Sequence, residues 1–479
     1  MPRRRIALQT ADGADLRAGF ATIRRELKAD ADFPAEVLAE AEQVARDPQL
    51  PAADRTDLDF VTLDPPGSRD LDQAMCLERR NGGYRVWYAI ADVAAFVAPG
   101  GALDREAHQR GTTVYFPDIR VPLHPPVLSE GAASLLPGQD RPALVWEIDL
   151  DADGETVAAR VRRAMVRSRA QLAYPDVQVR LDAGTADGSM ALLAEIGPLL
   201  ERQEASRGGV HLITPEQEVV EHGDGYTLQY RAALAAEDWN AQISLLAGRA
   251  AAAMMLDAGI GVLRTMPAAP PEAVAWLRRV ALALDVPWAD GESYGDVLRT
   301  LDPEEPRHAA FLHSAAGLLR GAGYTVFDGA PPEQPLHSAV AAPYAHVTAP
   351  LRRLVDRYGQ EVCVAATEGA EVPEWVRAAL PSLPPVMTGA DRRNHQADRY
   401  SVDLVEATLL RDRVGERFDA VVLDVEIKND QPTGRATVQI ADPAVRGRCD
   451  GHGLPLGGRT LASLVTADPA KRQVRFSVP

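Results

Sequence analysis

The chain has 479 residues, enough for about three domains, and its apolar content of 46% and charged content of 25% are those of an ordinary globular protein. Its three widely spaced cysteines, Cys76, Cys363 and Cys449, argue against a disulfide framework or a zinc site, so we expect a reducing, cytoplasmic environment. The net charge of −17 argues against a polyanionic partner unless basic side chains cluster locally.

Membrane association is not expected. The basic start of the chain, Met1 to Arg5, is not followed by an apolar run of the kind found in a signal peptide. The most apolar window, Ala247 to Leu263, is interrupted by Arg249 and Asp257 and is too short to span a bilayer, so we predict a buried helix there.

Residues 1–55 are predicted to form a small, mainly helical domain. Apolar residues spaced three and four apart predict helices over Leu16 to Leu27 and Ala35 to Ala45, the second with Pro34 in its first turn. Such a unit could be a helix-turn-helix or winged-helix docking element or an inert helical cap, and the sequence leaves both open.

Residues 56–414 are predicted to form one α+β domain, in which a central mixed or antiparallel sheet is packed with helices. Short apolar runs bounded by Gly, Pro or Asp predict strands at Phe60–Leu63, Tyr84–Ile90, Thr113–Phe116 and Ala143–Leu150. Helical periodicity follows at Ser168–Leu181, Met190–Arg207, Leu234–Ala258, Leu351–Ala365 and Asp391–Val414.

After Gly415 the pattern changes to short strands separated by turn residues. The predicted strands are Phe418–Val425, Gly434–Ile440, Thr460–Val465 and Gln473–Val478. Strands of this length and spacing predict a small β-barrel of the OB type over residues 415–479.

The first candidate site is an acidic segment, Asp64 to Asp72, that cannot be a helix because Pro65, Pro66 and Gly67 force a turn. The turn can bring Asp64 towards Asp70, and Asp70 and Asp72 project to the same side if the chain is extended. Converging carboxylates are best neutralised by a hard cation such as Mg²⁺ or Mn²⁺, which is suited to phosphodiester hydrolysis.

An alternative interpretation of such a segment is a solvated turn. Asp149, Asp151 and Asp153 alternate in the same way but precede Gly154, in what reads as a hairpin loop. The acidic segment therefore needs support from elsewhere in the chain.

Three further segments supply that support. In Tyr344 to Arg357 a loop ends at Pro350 and a helix begins with Arg352 and Arg353, so that its first amides and a guanidinium would clamp a phosphate. A short strand ends in Tyr115, whose ring could stack on a base, and Ala397-Asp398-Arg399 lies on a later helix.

Arginine runs stand out against the acidic background. They either line cationic grooves or lie on solvated helix faces, and any one run taken alone favours the second. The runs are Arg162, Arg163, Arg167 and Arg169; Arg352, Arg353 and Arg357; and Arg392, Arg393 and Arg399.

Taken in order, the four motifs resemble the ribonuclease II family, also called the RNB family, over roughly Asp57 to the C-terminus. The resemblance implies a processive hydrolytic exoribonuclease that works from the 3′ end and releases nucleoside 5′-monophosphates. It implies that Asp64, Asp70 and Asp72 bind Mg²⁺, with Mn²⁺ as a substitute, and that Asp72 is essential for cleavage, with Asp70 beside it. It also implies that Arg352 contacts the scissile phosphate.

The resemblance implies RNA contacts as well. Arg353 falls on a basic neighbour of the phosphate site, Tyr115 on a tyrosine that stacks against the terminal nucleotide, and Asp398 near the terminal ribose, where a carboxylate can read the 2′-OH. Tyr174 matches another aromatic of the RNA path. Asn240 and Gln242 stand where the family tends to place glutamates.

Two departures from the family pattern matter. Gln73 stands where the family carries an aspartate; its carbonyl oxygen can still be offered to a metal, but one negative charge is lost, so we expect weaker metal binding. Residues 1–55 are too few to hold the two cold-shock barrels typical of the family. If a helical unit replaces barrels that would narrow the entrance, structured RNA with a 3′ overhang would enter more readily.

The expected partner is single-stranded RNA, and the expected state is a monomer. The alternative function is an RNB-like RNA-binding or regulatory protein weakened in catalysis by Gln73. A metal phosphatase acting on small substrates ranks lower, because it would need neither the barrel nor Tyr115.

Overall fold

The computed structural model describes residues 11–212, 216–428 and 431–478. The first ten residues, including the basic start, lie outside the described part of the chain. Strands and helices are mixed as the sequence predicts, and two separate sheets each close into a five-stranded barrel. The α+β class and the terminal OB-type barrel are thereby confirmed, whereas the boundaries at residues 55 and 414 stay predictions.

Both predicted N-terminal helices are present, and they pack on different surfaces. Leu16 and Phe20 of the first helix are buried against Leu404 of the long helix Leu383–Leu410, whereas Val37 and Ala41 of the second are buried against the first barrel. The elements of this region are β1 (Ala11–Asp12), α1 (Gly13–Leu27) and α2 (Ala35–Arg46).

The first barrel is the predicted central sheet, closed on itself. Its strands are β2 (Phe60–Asp64), β3 (Gln73–Arg80), β4 (Gly83–Ala91), β7 (Asp140–Asp151) and β8 (Thr156–Ala173); α3 (Ala102–Arg110) and the hairpin β5 (Val114–Tyr115) and β6 (Arg120–Val121) lie between β4 and β7. The barrel closes because β8 pairs in parallel with β2, while the other pairs are antiparallel.

The prediction of a helix from Ser168 to Leu181 was wrong for its first six residues. Strand β8 continues to Ala173, because its pairing with β7 ends at Arg167 and residues 168–173 then pair with β2, so the helix begins only at Tyr174. Pro175 sits in the first turn of that helix, where its missing N–H is tolerated. Tertiary pairing here overrides the local apolar spacing.

Helices pack around the barrel, and α6 is among those in contact with its core. Its residues Ile243, Leu246 and Ala247 pack in one cluster with Tyr88 and Trp146 of the barrel. The elements are α4 (Tyr174–Asp182), α5 (Gly188–Ser206), β9 (Glu216–His222), β10 (Gly225–Arg231), α6 (Ala235–Ala258), β11 (Ile260–Thr265), α7 (Pro271–Leu284), α8 (Tyr294–Arg299), α9 (Pro306–Ala316), β12 (Gly323–Asp328), β13 (Leu336–His337), β14 (Ala342–Pro343), α10 (Leu354–Glu368), α11 (Glu374–Ala379) and α12 (Leu383–Leu410).

The terminal barrel contains one strand more than the sequence predicted. The strands are β15 (Arg417–Lys428), β16 (Gln431–Ile440), β17 (Val445–Asp450), β18 (Arg459–Asp468) and β19 (Gln473–Ser477), and β17 pairs in parallel with β19. The missed strand β17 is rich in Arg and contains Gly447, where a Cβ atom would lie 2.6 Å from the ring of Phe476. Gly447 weakens the strand pattern in the sequence, but any larger residue at this position would collide with the ring of Phe476.

Among the helices of the described residues, none is both long and apolar enough to cross a membrane.

A buried carboxyl joins α12 to the terminal barrel. Glu406 on α12 is 4% exposed and accepts hydrogen bonds from Gln217 Nε2 (2.7 Å) and from the backbone N–H of Arg446 (2.9 Å). Burial raises the pKa of the Glu406 carboxyl to about 7, and the negative charge of Asp403 adds to the shift.

The Glu406→Gln variant should therefore differ from the parent protein in a pH-dependent way. Between pH 4.5 and about 7 the folded parent holds a proton that the unfolded chain has lost, so its free energy of unfolding falls as pH rises. The variant lacks this titration. Its free energy of unfolding, measured with urea, should therefore rise by roughly 3 kcal/mol relative to that of the parent when the pH is raised from 4.5 to 8. The exposed Glu371→Gln is the control, and a pH-independent difference for Glu406→Gln would contradict the assignment.

Candidate active site

The predicted site residues meet in a cavity of about 670 Å³ at one end of the first barrel. Residues from the end of β2, the start of β3, the β5–β6 hairpin, α6 and the loop before α10 line it together. Nine of the sequence-predicted residues are in its lining: Asp64, Asp70, Asp72, Gln73, Tyr115, Tyr174, Asn240, Arg352 and Arg353.

The acidic segment enters the cavity because the strand is broken after Asp64. The backbone at Gly67 has a φ of +80°, and the N–H of Ser68 donates to the carbonyl of Pro65, which closes the predicted turn. The segment is then fastened at Leu71, whose N–H donates to Ser134 Oγ at 3.0 Å. This places the Asp72 side chain at the floor of the cavity, immediately before β3 begins.

Asp72 is the residue that joins the two main motifs. Its carboxylate is 4% exposed; Oδ1 accepts the backbone N–H of Leu351 at 2.7 Å, and Oδ2 lies 3.2 Å from Nε of Arg352. The Arg352 side chain is 46% exposed, so its remaining donors face the cavity. A guanidinium in that position can bind an anion while it is held by Asp72.

Asp70 is neutralised by an arginine that the sequence analysis did not identify. Arg120 Nη1 lies 2.5 Å from Asp70 Oδ1, and its Nη2 lies 3.2 Å from Glu130. The hydroxyl of Tyr115 donates to Asp70 Oδ2 at 3.2 Å. The feature that could have identified Arg120 is the short hairpin β5–β6, because its register places Arg120 directly opposite the predicted site residue Tyr115.

Gln73 is held by hydrogen bonds on both sides of its amide. Nε2 donates to the carbonyl of Thr348 at 2.7 Å, and Oε1 accepts the hydroxyl of Tyr88 at 2.5 Å, with Ser244 Oγ at 3.4 Å. A metal bound by Gln73 Oε1 would compete with the Tyr88 hydroxyl. The role of Gln73 as a metal ligand stays a prediction.

Burial shifts the acidity of the two inner carboxyls. It raises the pKa of Asp72 to about 8 and that of Asp64 to about 6, although the positive charge of Arg352 opposes both shifts. Asp64 Oδ2 is buried and has no hydrogen-bond partner among the described residues. Both side chains therefore favour a compensating positive charge in the cavity.

The donor set fits a hard cation, but the carboxylates are not preassembled around one. All the candidate donors are oxygens, and one of them, on Asp64, lacks a partner. However, no three His, Cys, Asp or Glu side chains in the described ranges lie close enough together to share an ion. The expected convergence of three carboxylates is thus limited to a shared cavity, in which Asp70 is turned towards Arg120, and the magnesium site stays a prediction.

The loop before α10 is fixed by a buried ion pair. Arg353 donates from Nε and Nη2 to the two carboxylate oxygens of Asp356 at 2.9 and 2.8 Å, and Asp356 Oδ2 also accepts the N–H of Ala349 at 2.7 Å. Asp356 is fully buried. Arg353 therefore lines the cavity with its guanidinium engaged, and its predicted contact with RNA stays a prediction.

The predicted amide clamp for phosphate was wrong. Helix α10 begins at Leu354 rather than Leu351, and the preceding amides are already bonded: Leu351 N–H to Asp72, Arg352 and Arg353 N–H to Ala349 O, and Leu354 N–H to Gly111 O. Among the donors of residues 351–354 predicted to form the clamp, the guanidinium of Arg352 remains available to an anion.

Of the remaining predicted RNA contacts, two lie in the cavity and two do not. Asn240 Nδ2 donates to the Tyr174 hydroxyl at 2.7 Å, and both residues line the cavity. Gln242 is buried outside the cavity and donates to Glu204 at 2.7 Å, so the prediction that it contacts RNA together with Asn240 is corrected. The reason is that residues two apart on a helix point in nearly opposite directions. Asp398 is exposed and lines a neighbouring cavity of about 260 Å³, which Tyr115 also lines.

The class of protein is defined by two features. The first is an α+β barrel domain whose acidic cavity is lined by the loop with Arg352 and Arg353, and the second is the OB-type barrel that follows it. The family model described as the RNB domain matches residues 53–368, and the model described as the RNase II-type exonuclease C-terminal S1 domain matches residues 416–478. The chain belongs to the RNB family.

Curated relatives agree with this assignment. Ribonuclease R of Escherichia coli is 28% identical over 412 residues, which cover 80% of this chain and 50% of that protein. The exosome complex exonuclease RRP44 of Mus musculus is 31% identical over 314 residues, covering 62% of this chain and 32% of that protein. The chain spans about half the length of the ribonuclease R sequences from Escherichia coli and Shigella flexneri.

Solved structures show the same fold at low sequence identity. The apo form of Mycoplasma genitalium RNase R has a TM-score of 0.85 at 19% identity, covering 97% of this chain and 78% of that one. The same RNase R in complex with double-stranded RNA has a TM-score of 0.82. Yeast Ssd1, described as a pseudonuclease, has a TM-score of 0.73 at 16% identity, covering 95% of this chain and 57% of that one.

The Asp356→Asn variant should be strongly destabilised. It leaves the Arg353 guanidinium, whose side chain is 25% exposed, without its fully buried counter-charge, which costs about 3 kcal/mol of unfolding free energy, the lower end of the range for buried pairs. Urea unfolding measures this, and Asp328→Asn is the matched control, since Asp328 pairs with Arg377 on the surface and should contribute less than about 1 kcal/mol. Equal losses in the two variants would show that the loop does not depend on the buried pair.

Proposed function

We propose that this protein is a hydrolytic exoribonuclease that degrades RNA processively from the 3′ end and releases nucleoside 5′-monophosphates. The observation that carries the proposal is the contact of the Asp72 carboxylate with Leu351 N–H and Arg352 inside a cavity lined by further acids. Membership of the RNB family supports the proposal, as do relatives named ribonuclease R and exosome complex exonuclease.

The side chains of the cavity divide the work of hydrolysis. Arg352 would bind the scissile phosphate and neutralise charge as it develops on the phosphoryl oxygens. Tyr115, whose hydroxyl is held by Asp70, would stack on the terminal base. Asp398, across Tyr115 from the acids, would meet the terminal ribose and recognise its 2′-OH.

We further propose that Mg²⁺ is held by Asp64, Asp70 and Asp72, with Mn²⁺ as a substitute. When bound, the ion would supply a water molecule of lowered pKa and orient it for attack on the phosphodiester. The buried oxygen of Asp64 that lacks a partner supports this assignment. Arg120 would have to release Asp70 for the ion to bind there, because it occupies Oδ1 of that carboxylate.

A second candidate function is an RNA-binding protein with weakened catalysis. The observation in its favour is the engagement of Gln73 by Tyr88 and Thr348 at a position where the family carries a carboxylate. The experiment on hydrolysis decides between the two functions.

Purified protein should shorten 5′-labelled single-stranded RNA in Mg²⁺ to one short end product while releasing 5′-monophosphates. The Asp72→Asn variant should lose this activity yet remain folded, because its amide oxygen still accepts the Leu351 N–H. A sequencing gel and identification of the released nucleotide provide the measurement. RNA that stays intact but is retained on a filter would establish the RNA-binding alternative instead.

Two substitutions should tighten binding of Mg²⁺. Gln73→Asp adds a negative charge to the cavity, and Arg120→Gln removes the cation that competes for Asp70, so each should lower the dissociation constant by about tenfold in calorimetry without RNA. Arg69→Gln is the matched control, because Arg69 pairs with Glu130 at 3.4 Å and forms no ion pair with Asp70 among the described residues. Affinities equal to that of the parent protein in both variants would argue against a cation among these carboxylates.

A further inference from the structure

The arginine run on β8 is only partly explained by ion pairs. Arg163 pairs with Asp92 and Glu361, Arg167 with Asp140, and Arg169 with Asp59. Arg162 is exposed and makes no hydrogen bond or ion pair within the described ranges. The run lies on a strand, so the interpretation as a solvated helix face does not apply. Of its four arginines, Arg162 lacks an ion-pair partner among the described residues.

Arg162 borders a pocket of about 230 Å³ on the first barrel. The register explains the grouping, since Trp87 on β4 lies opposite Glu147 on β7, and Arg162 on β8 lies opposite Val145. Arg55, from the segment that precedes β2, completes one side of the pocket. The pocket has an aromatic and aliphatic floor and a rim of arginines.

The indole of Trp87 forms part of the floor of this pocket. Trp87 is only 7% exposed, and its Nε1 has no hydrogen-bond partner in the part of the chain that the structure describes. Because Nε1 also has almost no exposed surface, a ligand in the pocket would meet the arginines of the rim rather than the indole N–H.

The charge of the pocket is positive although the chain is acidic. Four arginines line it against two acids, Asp54 and Glu147. Glu147 is already neutralised by Arg85 and Arg160, each at 2.6 Å. The guanidinium of Arg55 lies over the Trp87 ring at 5.8 Å and has no carboxylate partner among the described residues, so Arg55 and Arg162 remain for an anion.

We propose that this pocket binds a phosphate group of single-stranded RNA, outside the catalytic cavity. Arg55 and Arg162 would donate charge-assisted hydrogen bonds to the phosphate oxygens. A phosphate has enough oxygens to meet both guanidinium groups. That the phosphate belongs to RNA rests on the proposed function; a second contact on the same strand adds to affinity by linking two sites.

The test uses the Asp72→Asn protein, so that RNA is bound without being consumed. Adding Arg55→Gln and Arg162→Gln together should raise the dissociation constant of a 5′-labelled 30-nucleotide RNA roughly tenfold or more, as expected for the loss of charge-assisted hydrogen bonds. The slope of log affinity against log salt should become less steep by about 0.7, the value for one phosphate of a single strand.

The matched control is the pair Arg167→Gln and Arg169→Gln, which removes the same charge from the same strand but from arginines that are already paired. The control should leave RNA affinity within about twofold. In the otherwise unaltered protein, Arg55→Gln with Arg162→Gln should hydrolyse a tetranucleotide at the parent rate. Failure of hydrolysis in the parent protein would end the proposed function, whereas the pocket is judged by the binding data alone.

Other ligands have distinct outcomes. Equal losses in the control pair and the pocket pair would mean a general charge effect and would overturn the proposal. If inorganic phosphate binds in a manner that depends on Arg55 and Arg162 while RNA affinity is unchanged, the pocket takes a free anion and the RNA assignment is wrong. Binding of a polyglutamate peptide but not of RNA would likewise overturn it in favour of an acidic protein segment.

Discussion

The candidate site depends on one buried carboxylate that ties together two distant parts of the chain. Asp72 accepts the N–H of Leu351, which is 279 positions later in the sequence, and holds Arg352 beside it. Both partners lie on one loop, and the next residue, Gln73, bonds to the same loop at Thr348. Because a buried carboxylate without partners is costly, the acidic segment and the arginine loop stabilise each other's positions.

The same constraint makes the loop a rigid support rather than a flexible lid. Its amides are consumed by Asp72, Ala349 and Gly111, and Asp356 holds it from the other side through Arg353 and Ala349. Of the two guanidinium groups that this loop places in the cavity, that of Arg353 is engaged by Asp356, and that of Arg352 is half-exposed and available to an anion. A phosphate would be positioned by this group without moving the backbone, which is the arrangement that favours catalysis by preorganised charge.

Local patterns in the sequence predicted the fold class and most of the helices, because those features depend on periodicity. The residues of the cavity were predicted from the acidic segment and from the resemblance to the RNB family that the order of the motifs indicates. Gln242 was misplaced because a motif read as letters does not show which face of a helix each letter occupies. Strand β8 and the pairing of Asp70 with Arg120 depend on hydrogen bonds and ion pairs between segments far apart in sequence. Such contacts have no local signature, apart from the hairpin register that sets Arg120 opposite Tyr115.

Strand β4 links the cavity to the arginine-rimmed pocket through the alternation of side chains. Tyr88 points to the face where its hydroxyl meets Gln73 and Ser244, so the next residue back, Trp87, must point to the opposite face, where it lines the pocket. The two sites are thus on opposite faces of one sheet, and a single stretch of bound chain could reach both only by passing around an end of the closed barrel. An RNA that reached both would be held at two separated points, so affinity for long RNA would depend on the pocket while cleavage at the 3′ end would depend only on the cavity.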